Sequence, residues 1–166
     1  MRRSDREIKE TDKLIEVIRK CDVCRLALNA DGYPYILPLN FGMQVNQGRV
    51  VLYFHGATQG TKYELIKKDN RASFEMDCGH RLVMEEDMGN CTMEFESVIG
   101  RGLIEIITED DQKKEALDIL MSHYHQEEFS YNQEFIAETT VLKLTVEQMT
   151  GKALKKKHKV NSIGES

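Results

Sequence analysis

Apolar residues first fall into step at Leu14, Ile15, Val17 and Ile18, the spacing of one helix face, with Thr11 or Asp12 as the N-cap. The period then drops to two. Cys24, Leu26 and Leu28 share a face within Val23–Asn29, which predicts a short strand. Ala30-Asp31-Gly32 reads as a hairpin turn, and Tyr33–Phe41 as the second strand. Pro38 inside that strand removes a backbone donor, so the strand belongs at an edge or a bulge. Asn46-Gln47-Gly48 turns the chain into a third strand, Arg49–His55.

A helix is expected from Thr61 to Lys68 and a strand over Ala72–Met76. Gly79–Gly89 reads as a loop. Thr92–Ile107 reads as extended, with a bulge or strong bend at Gly100 and Gly102. Thr108–Asp111 opens an acidic helix start, and Ala116, Leu117, Leu120, Met121 and Tyr124 form the apolar face that follows. Thr140–Val146 is the last expected strand. Short hairpin turns imply antiparallel pairing. About six strands with helices outside them predict a mainly β (α+β) fold, a small closed or half-open antiparallel barrel.

The chain has 166 residues, one domain's length, and neither a repeat nor a Ser/Gly-rich linker divides it. The domain is placed at 1–152, with 153–166 as a basic tail expected to be disordered. No apolar run reaches the roughly 20 residues of a membrane span. The charged opening, Met1–Glu7, leads into no apolar signal segment, so a cytoplasmic protein without membrane contact is expected. Net charge is −5; without the five lysines of Lys152–Lys159 the balance is 18 basic against 28 acidic residues, a net of −10. So acidic a body repels phosphate backbones, and no nucleic-acid partner is expected. The Lys155–Lys159 run reads as a solvated terminus, against a tail for nucleic acid or a membrane surface.

Cys21-Asp22-Val23-Cys24 is a C-x-x-C, but Cys78 and Cys91 have twelve residues between them and supply no second knuckle for zinc. The cysteines therefore read as small hydrophobes, and no metal is expected. The densest chemistry lies in Leu52–Lys62. A strand ends at His55, Gly56 and Gly60 follow, and a helix opens near Thr61. Helix N-termini offer unpaired N–H groups and a positive dipole end to phosphate. Gly60 would let the backbone approach, Thr61 would add a hydroxyl and Lys62 a charge. The spacing is not that of a Walker A loop, and an ordinary strand–turn–helix with an exposed lysine fits the same residues. His55 faces either a ligand or a backbone partner. His123 and His125, two apart on a helix, point in different directions. Glu85, Glu86 and Asp87 read as a solvated loop, and Met43, Met76, Met84, Met88 and Met93 as fillers of core or interface gaps.

Taken together, Tyr33–Gly42, Leu52–Ala57 and Gly60-x-Lys62, in this order and spacing, resemble the nitroimidazole-resistance (Nim) family. That family lies among the pyridoxamine-phosphate-oxidase-like, flavin-binding split barrels. Ser97–Gly102, Met121–Tyr124 and Met149–Lys152 fit it too, and the resemblance runs from Arg2 to about Lys152.

The resemblance implies a six-stranded antiparallel split β-barrel with flanking helices, forming a homodimer with FMN, or FAD, at its interface. It implies that Pro38, Leu39 and Asn40 line the flavin ring, with Phe54 and His55 beside the ring and ribityl chain. Thr61 and Lys62 would hold the phosphate, while Ser97 and Arg101 would act on the flavin of a second copy. His55 is the implied catalytic residue, either orienting flavin or substrate or donating a proton. The implied activity is FMN-dependent reduction of a nitro group or similar small electrophile, the substrate being a small molecule. The alternative is a flavin- or haem-binding module without turnover. Two departures stand out. Thr61 occupies a place where relatives often carry a second basic residue. The chain also lacks the arginine- and proline-bearing ending of pyridoxamine-phosphate oxidases, which speaks against vitamin B6 oxidation.

Overall fold

Leu14, Ile15, Val17 and Ile18 are all buried, on the inner face of helix α1 (Thr11–Lys20). Neither expected cap is used: Thr11 is already helical, and the N-cap, Glu10, makes no side-chain capping bond. This is a computed structural model that describes residues 3–127 and 129–156. Around α1 run β1 (Glu7–Ile8), β2 (Cys24–Leu28), β3 (Tyr35–Leu39), β4 (Gly42–Asn46) and β5 (Arg49–Ala57). Helix α2 (Thr61–Lys68), β6 (Arg71–Glu85) and β7 (Asn90–Ile107) follow, then α3 (Asp110–Tyr124), α4 (Gln133–Ala137) and β8 (Thr139–Leu154).

The strands form one antiparallel sheet in the order β3-β2-β6-β7-β8-β5-β4, with β1 added to β8. Strands β3 and β4 lie at opposite ends of this path, yet only Asn40 and Phe41 separate them in sequence. Three Cα steps reach roughly 11 Å at most. The sheet must therefore curl until its two edges meet, although no ladder joins them. This is a split barrel, with eight strands in place of the six expected.

Two additions account for the larger count. β1 is only two residues long, too short to leave a pattern. β4 lies behind the break at Asn40–Phe41, which ends the expected Tyr33–Phe41 strand at Leu39. It shows no clean alternation because α3 covers it closely: a Cβ on Gly42 would lie 2.5 Å from Leu120 backbone atoms. β3 is an edge strand, as Pro38 requires. Gln47 and Gly48, both at positive φ, make the tight β4–β5 turn.

The expected loop at Gly79–Gly89 is mostly strand. β6 runs on to Glu85 and pairs with β7 from Asn90. A bulge between Cys78 and Arg81 sends this ribbon away from the barrel, so most of it has no buried face and leaves no periodic signal. The second expected irregularity is present, a register shift at Arg101/Gly102 against β8. β8 continues to Leu154, two residues past the boundary expected at Lys152. Lys155 and Lys156 then pair with Glu96 and Glu85, and the expected tail from Lys157 to Ser166 lies outside the described residues.

Inward residues of β2, β5, β6, β7 and β8, among them Leu26, Leu52, Phe54, Phe74, Ile104 and Leu144, form the barrel core with α1. Each such side chain contributes about 1.5–3 kcal/mol by leaving water. A smaller cluster, built on Val51, Tyr53, Ala116, Leu117 and Val141, lies on the outer face of β5 beneath α3. Buried Cys21 and Cys24 belong to the barrel core, with Cys78 packed against it and Cys91 exposed. His123 is held by the Cys21 carbonyl at 2.7 Å and packs on Phe41, a structural role. Among the described residues no helix is long and apolar enough to cross a membrane.

Candidate functional site

Alternation along β5 decides which way its side chains point. Leu52 and Phe54 enter the barrel core, while Val51 and Tyr53 lie on the outer face, and His55 follows on that side. Phe54 is fully buried. His55 is half-buried opposite Val141, and its Nδ1 is buried without a hydrogen-bond partner. Burial, and then the nearby charge of Lys62, push its pKa below the ordinary histidine value, so the imidazole is neutral at pH 7.

β5 runs two residues past the end expected at His55, through Gly56 and Ala57, and the chain then leaves the sheet at Thr58–Gly60 and enters α2. Gly60 sits at φ 147°, a conformation that favours glycine, and its carbonyl accepts the Tyr63 N–H at 3.1 Å. Lys62 does not extend into solvent. Its ammonium lies 3.0 Å from where a Gly56 Cβ would stand, and 3.8 Å from that of Gly60. It also lies 4.4 Å from the centroid of the Tyr63 ring. The Tyr63 hydroxyl, in turn, donates to the Ala57 carbonyl. Among the described residues Lys62 forms no ion pair with a carboxylate. The result is a cation held over bare backbone at a helix N-terminus, beside a neutral imidazole with a free nitrogen. That arrangement can take a phosphate and orient what is attached to it.

Of the residues expected at a site, His55 and Lys62 come together, with Thr61 exposed at the head of α2. Leu39 turns into the core opposite Cys24, while Pro38 is exposed opposite Arg25. The β4–β5 ladder stops at Gly42–Tyr53, and Asn40, two residues beyond it, lies at the same end of the ladder as His55. Ser97 and Arg101 are not part of this group. The β7 residue level with Val141 and His55 is Ile107, and Arg101 precedes it by six residues, about 20 Å of strand. Arg101 instead lines a separate shallow recess of about 240 Å³ with Ser73, Ile99 and Gln148. Tyr63 went unnoticed in the sequence. A tyrosine in a first helical turn carries no motif, and only the folded loop shows that it holds both Lys62 and Ala57.

Residues 10–153 match the family model described as pyridoxamine 5'-phosphate oxidase. The chain belongs to this pyridoxamine 5'-phosphate oxidase-like family, whose flavin-binding split-barrel fold it shares. A candidate 5-nitroimidazole antibiotic resistance protein from Bacteroides thetaiotaomicron is 33% identical, with 89% of this chain and 86% of that one covered and a TM-score of 0.78. A flavocytochrome from Azotobacter vinelandii has the same fold at 17% identity, 94% and 72% coverage, and a TM-score of 0.77. So does an FAD- and haem-binding protein from Mycobacterium smegmatis, at 20% identity, 91% and 74% coverage, and 0.76. No curated protein sequence matches this one.

Proposed function

We propose that this protein is a flavin-dependent reductase that holds FMN through the head of α2 and serves reduction of a nitro group or similar small electrophile. The observation that carries the reading is the Lys62 ammonium lodged over Gly56 and Gly60 next to the unpartnered Nδ1 of His55. These residues fit such a cofactor: the space a side chain at Gly56 would fill is kept for a cation, and a buried polar atom waits for a partner. Bound flavin supplies the electron-carrying chemistry that side chains lack.

Lys62 neutralises the phosphate, the first N–H groups of α2 hydrogen-bond it, and Thr61 offers a hydroxyl. His55, uncharged at neutral pH, orients flavin or substrate through Nδ1 or hands over a proton there. Pro38 and Asn40, both exposed, would line the ring from the β3 side, with Leu39 behind them in the core. Phe54 supports this end of β5 from within the core. Ser97 and Arg101 lie too far along β7 to serve the flavin of their own chain, so they act on that of a second copy across a homodimer interface. The same phosphate grip accepts FAD.

A second reading rests on His55 itself. A neutral, unpartnered imidazole nitrogen also suits haem iron, in a cofactor-binding module without turnover. The absorption spectrum of the purified protein, followed by steady-state assay with a nitroaromatic, separates the two. Flavin bands with turnover support the reductase, and a Soret band transfers the assignment to haem. A colourless protein that takes up no added flavin overturns both.

A further inference from the structure

Cys21 and Cys78 meet where the end of α1 packs against β6. Lys20 closes α1 with its ammonium 3.1 Å from the Glu96 carboxylate, and Glu96 stands directly opposite Cys78 in the β6–β7 ladder. Opposed residues share a face, so Cys78 and Glu96 both point toward α1. Asp77 and Ser97 make the neighbouring rung and point the other way. The pair therefore lies off the face that carries Ser97 and Arg101. The thiols of Cys21 and Cys78 lie within hydrogen-bonding distance of each other. Cys24, the other half of the C-x-x-C, is fully buried in the core on β2. The pair that the fold brings together is not the pair that the sequence suggests.

The two sulfurs are unequal. Cys21 is 2% exposed, and its sulfur also donates to the Val17 carbonyl at 3.3 Å. Cys78 is half-buried, and the charge of Lys20 favours its thiolate, although burial holds the thiol above its ordinary pKa. We propose that Cys21 and Cys78 form a peroxide-sensitive dithiol that closes reversibly to a disulfide, with Cys78 as the attacking sulfur. Its thiolate attacks one oxygen of hydrogen peroxide and the O–O bond breaks. The released hydroxide takes up a proton and leaves as water, and Cys78 becomes a sulfenic acid. The Cys21 sulfur then gives up its proton and attacks the Cys78 sulfur, expelling the sulfenic oxygen as a second water. Two thiols are oxidised and one peroxide is reduced to two waters. The new bond ties β6 to a joint of the barrel. There the Cys21 carbonyl accepts from His123 at 2.7 Å, and the Tyr124 hydroxyl donates to the Asp22 carbonyl at 2.7 Å and accepts the Phe41 N–H at 3.0 Å. Oxidation thus braces the fold where α1, α3 and the β3–β4 connection meet.

The test is treatment of the native, full-length chain with hydrogen peroxide, followed by thiol counting and intact mass after denaturation. Cys91→Ser, which removes the exposed thiol, is the background. It is expected to lose two thiols together with two hydrogens, to gain no oxygen, and to recover both thiols in dithiothreitol. Adding Cys24→Ala should change nothing. Adding Cys21→Ala should halt the reaction at a Cys78 sulfenic acid, trapped by dimedone. The oxidised chain should unfold at higher urea concentration than the reduced one and return on reduction. Thiols that all survive peroxide overturn the proposal, and so does a disulfide that persists after Cys78→Ala. A Cys21→Ala chain that takes up no dimedone overturns the attack by Cys78, and an unchanged urea midpoint overturns the bracing.

Discussion

The Lys62 ammonium rests 4.4 Å from the centroid of the Tyr63 ring, and the Tyr63 hydroxyl holds the carbonyl of Ala57. One buried aromatic thus fixes both the cation and the loop beneath it. Losing a hydrogen bond to a charged group costs about 1.5–3 kcal/mol, roughly ten- to hundredfold in Kd. Lys62→Ala is expected to weaken FMN binding by that factor, measured by quenching of flavin fluorescence. Tyr63→Leu should lose less, because a cation–π contact contributes about 0.5–2 kcal/mol. Tyr63→Phe, which keeps the ring, should recover most of it. Unchanged affinity in Lys62→Ala would remove the phosphate assignment.

Glu96 ties the ends of the domain together. Its carboxylate accepts from Lys20 at the end of α1 and pairs with Lys155 just past β8. Burial works upward on its pKa, but the hydrogen bonds from the two lysines outweigh it and leave the carboxyl below its ordinary value. Such a group stabilises the fold at pH values above its unfolded pKa of about 4.3, and the contribution is lost as pH falls through the lower folded value. Both lysines are partly solvated, so the gain is about 0.2–1 kcal/mol per pair. Glu96→Gln should lower the denaturation midpoint at pH 7 and have a smaller effect at pH 3. Urea titrations at the two pH values would show it.

Much of this was legible in the sequence wherever one face is buried and the other wet. Leu14–Ile18, Cys24–Leu28 and Leu142–Leu144 carry their period openly because burial imposes it. Pro38 announced an edge strand, and Gly102 an irregular ladder. The outer half of β6 was missed, although its partner from Thr92 was expected as extended, because Leu82 and Met84 are apolar yet exposed and show no buried face. At the site, His55 and Lys62 stand seven residues apart on a single strand–loop–helix, close enough for motif reading to find them. That Lys62 folds back over Gly56 depends on Tyr63 and on the loop's path, which no residue pattern encodes. Asn40 reaches the same end only through barrel closure, and Ser97 and Arg101 prove remote only once the β7–β8 register is known.

Gly100 gives a packing prediction. It faces the core, and a Cβ there would stand 2.3 Å from a ring carbon of Phe74, which is almost fully buried. Both residues sit in the β6–β7 ladder and oppose each other directly, so neither can withdraw without moving the sheet. Gly100→Ala should destabilise the fold by about 1–3 kcal/mol through overpacking. Phe74→Leu alone should also destabilise, by opening a void. In the double variant the smaller side chain makes room for the new methyl, so the two losses should add to less than their sum. Additive losses in chemical denaturation would show that the strain lies in the backbone and not against the ring.

The imidazole of His55 offers the most direct reading of the candidate site without any ligand present. Burial, then Lys62, hold its pKa below the ordinary value of about 6.5 that it regains when unfolded. Above that pH both states are neutral, and His55 adds no pH dependence. Between the two pKa values the unfolded chain binds the extra proton and the folded chain does not, so stability declines as pH falls. The decline ends once the folded imidazole protonates as well. Wild-type protein should therefore lose stability between about pH 7 and pH 5.5 more steeply than His55→Gln, which cannot titrate there. Thermal melts of both proteins across that window measure the difference. Parallel curves would mean that His55 is solvated in the folded state, and would take away the neutral, unpartnered Nδ1 on which its catalytic role is argued.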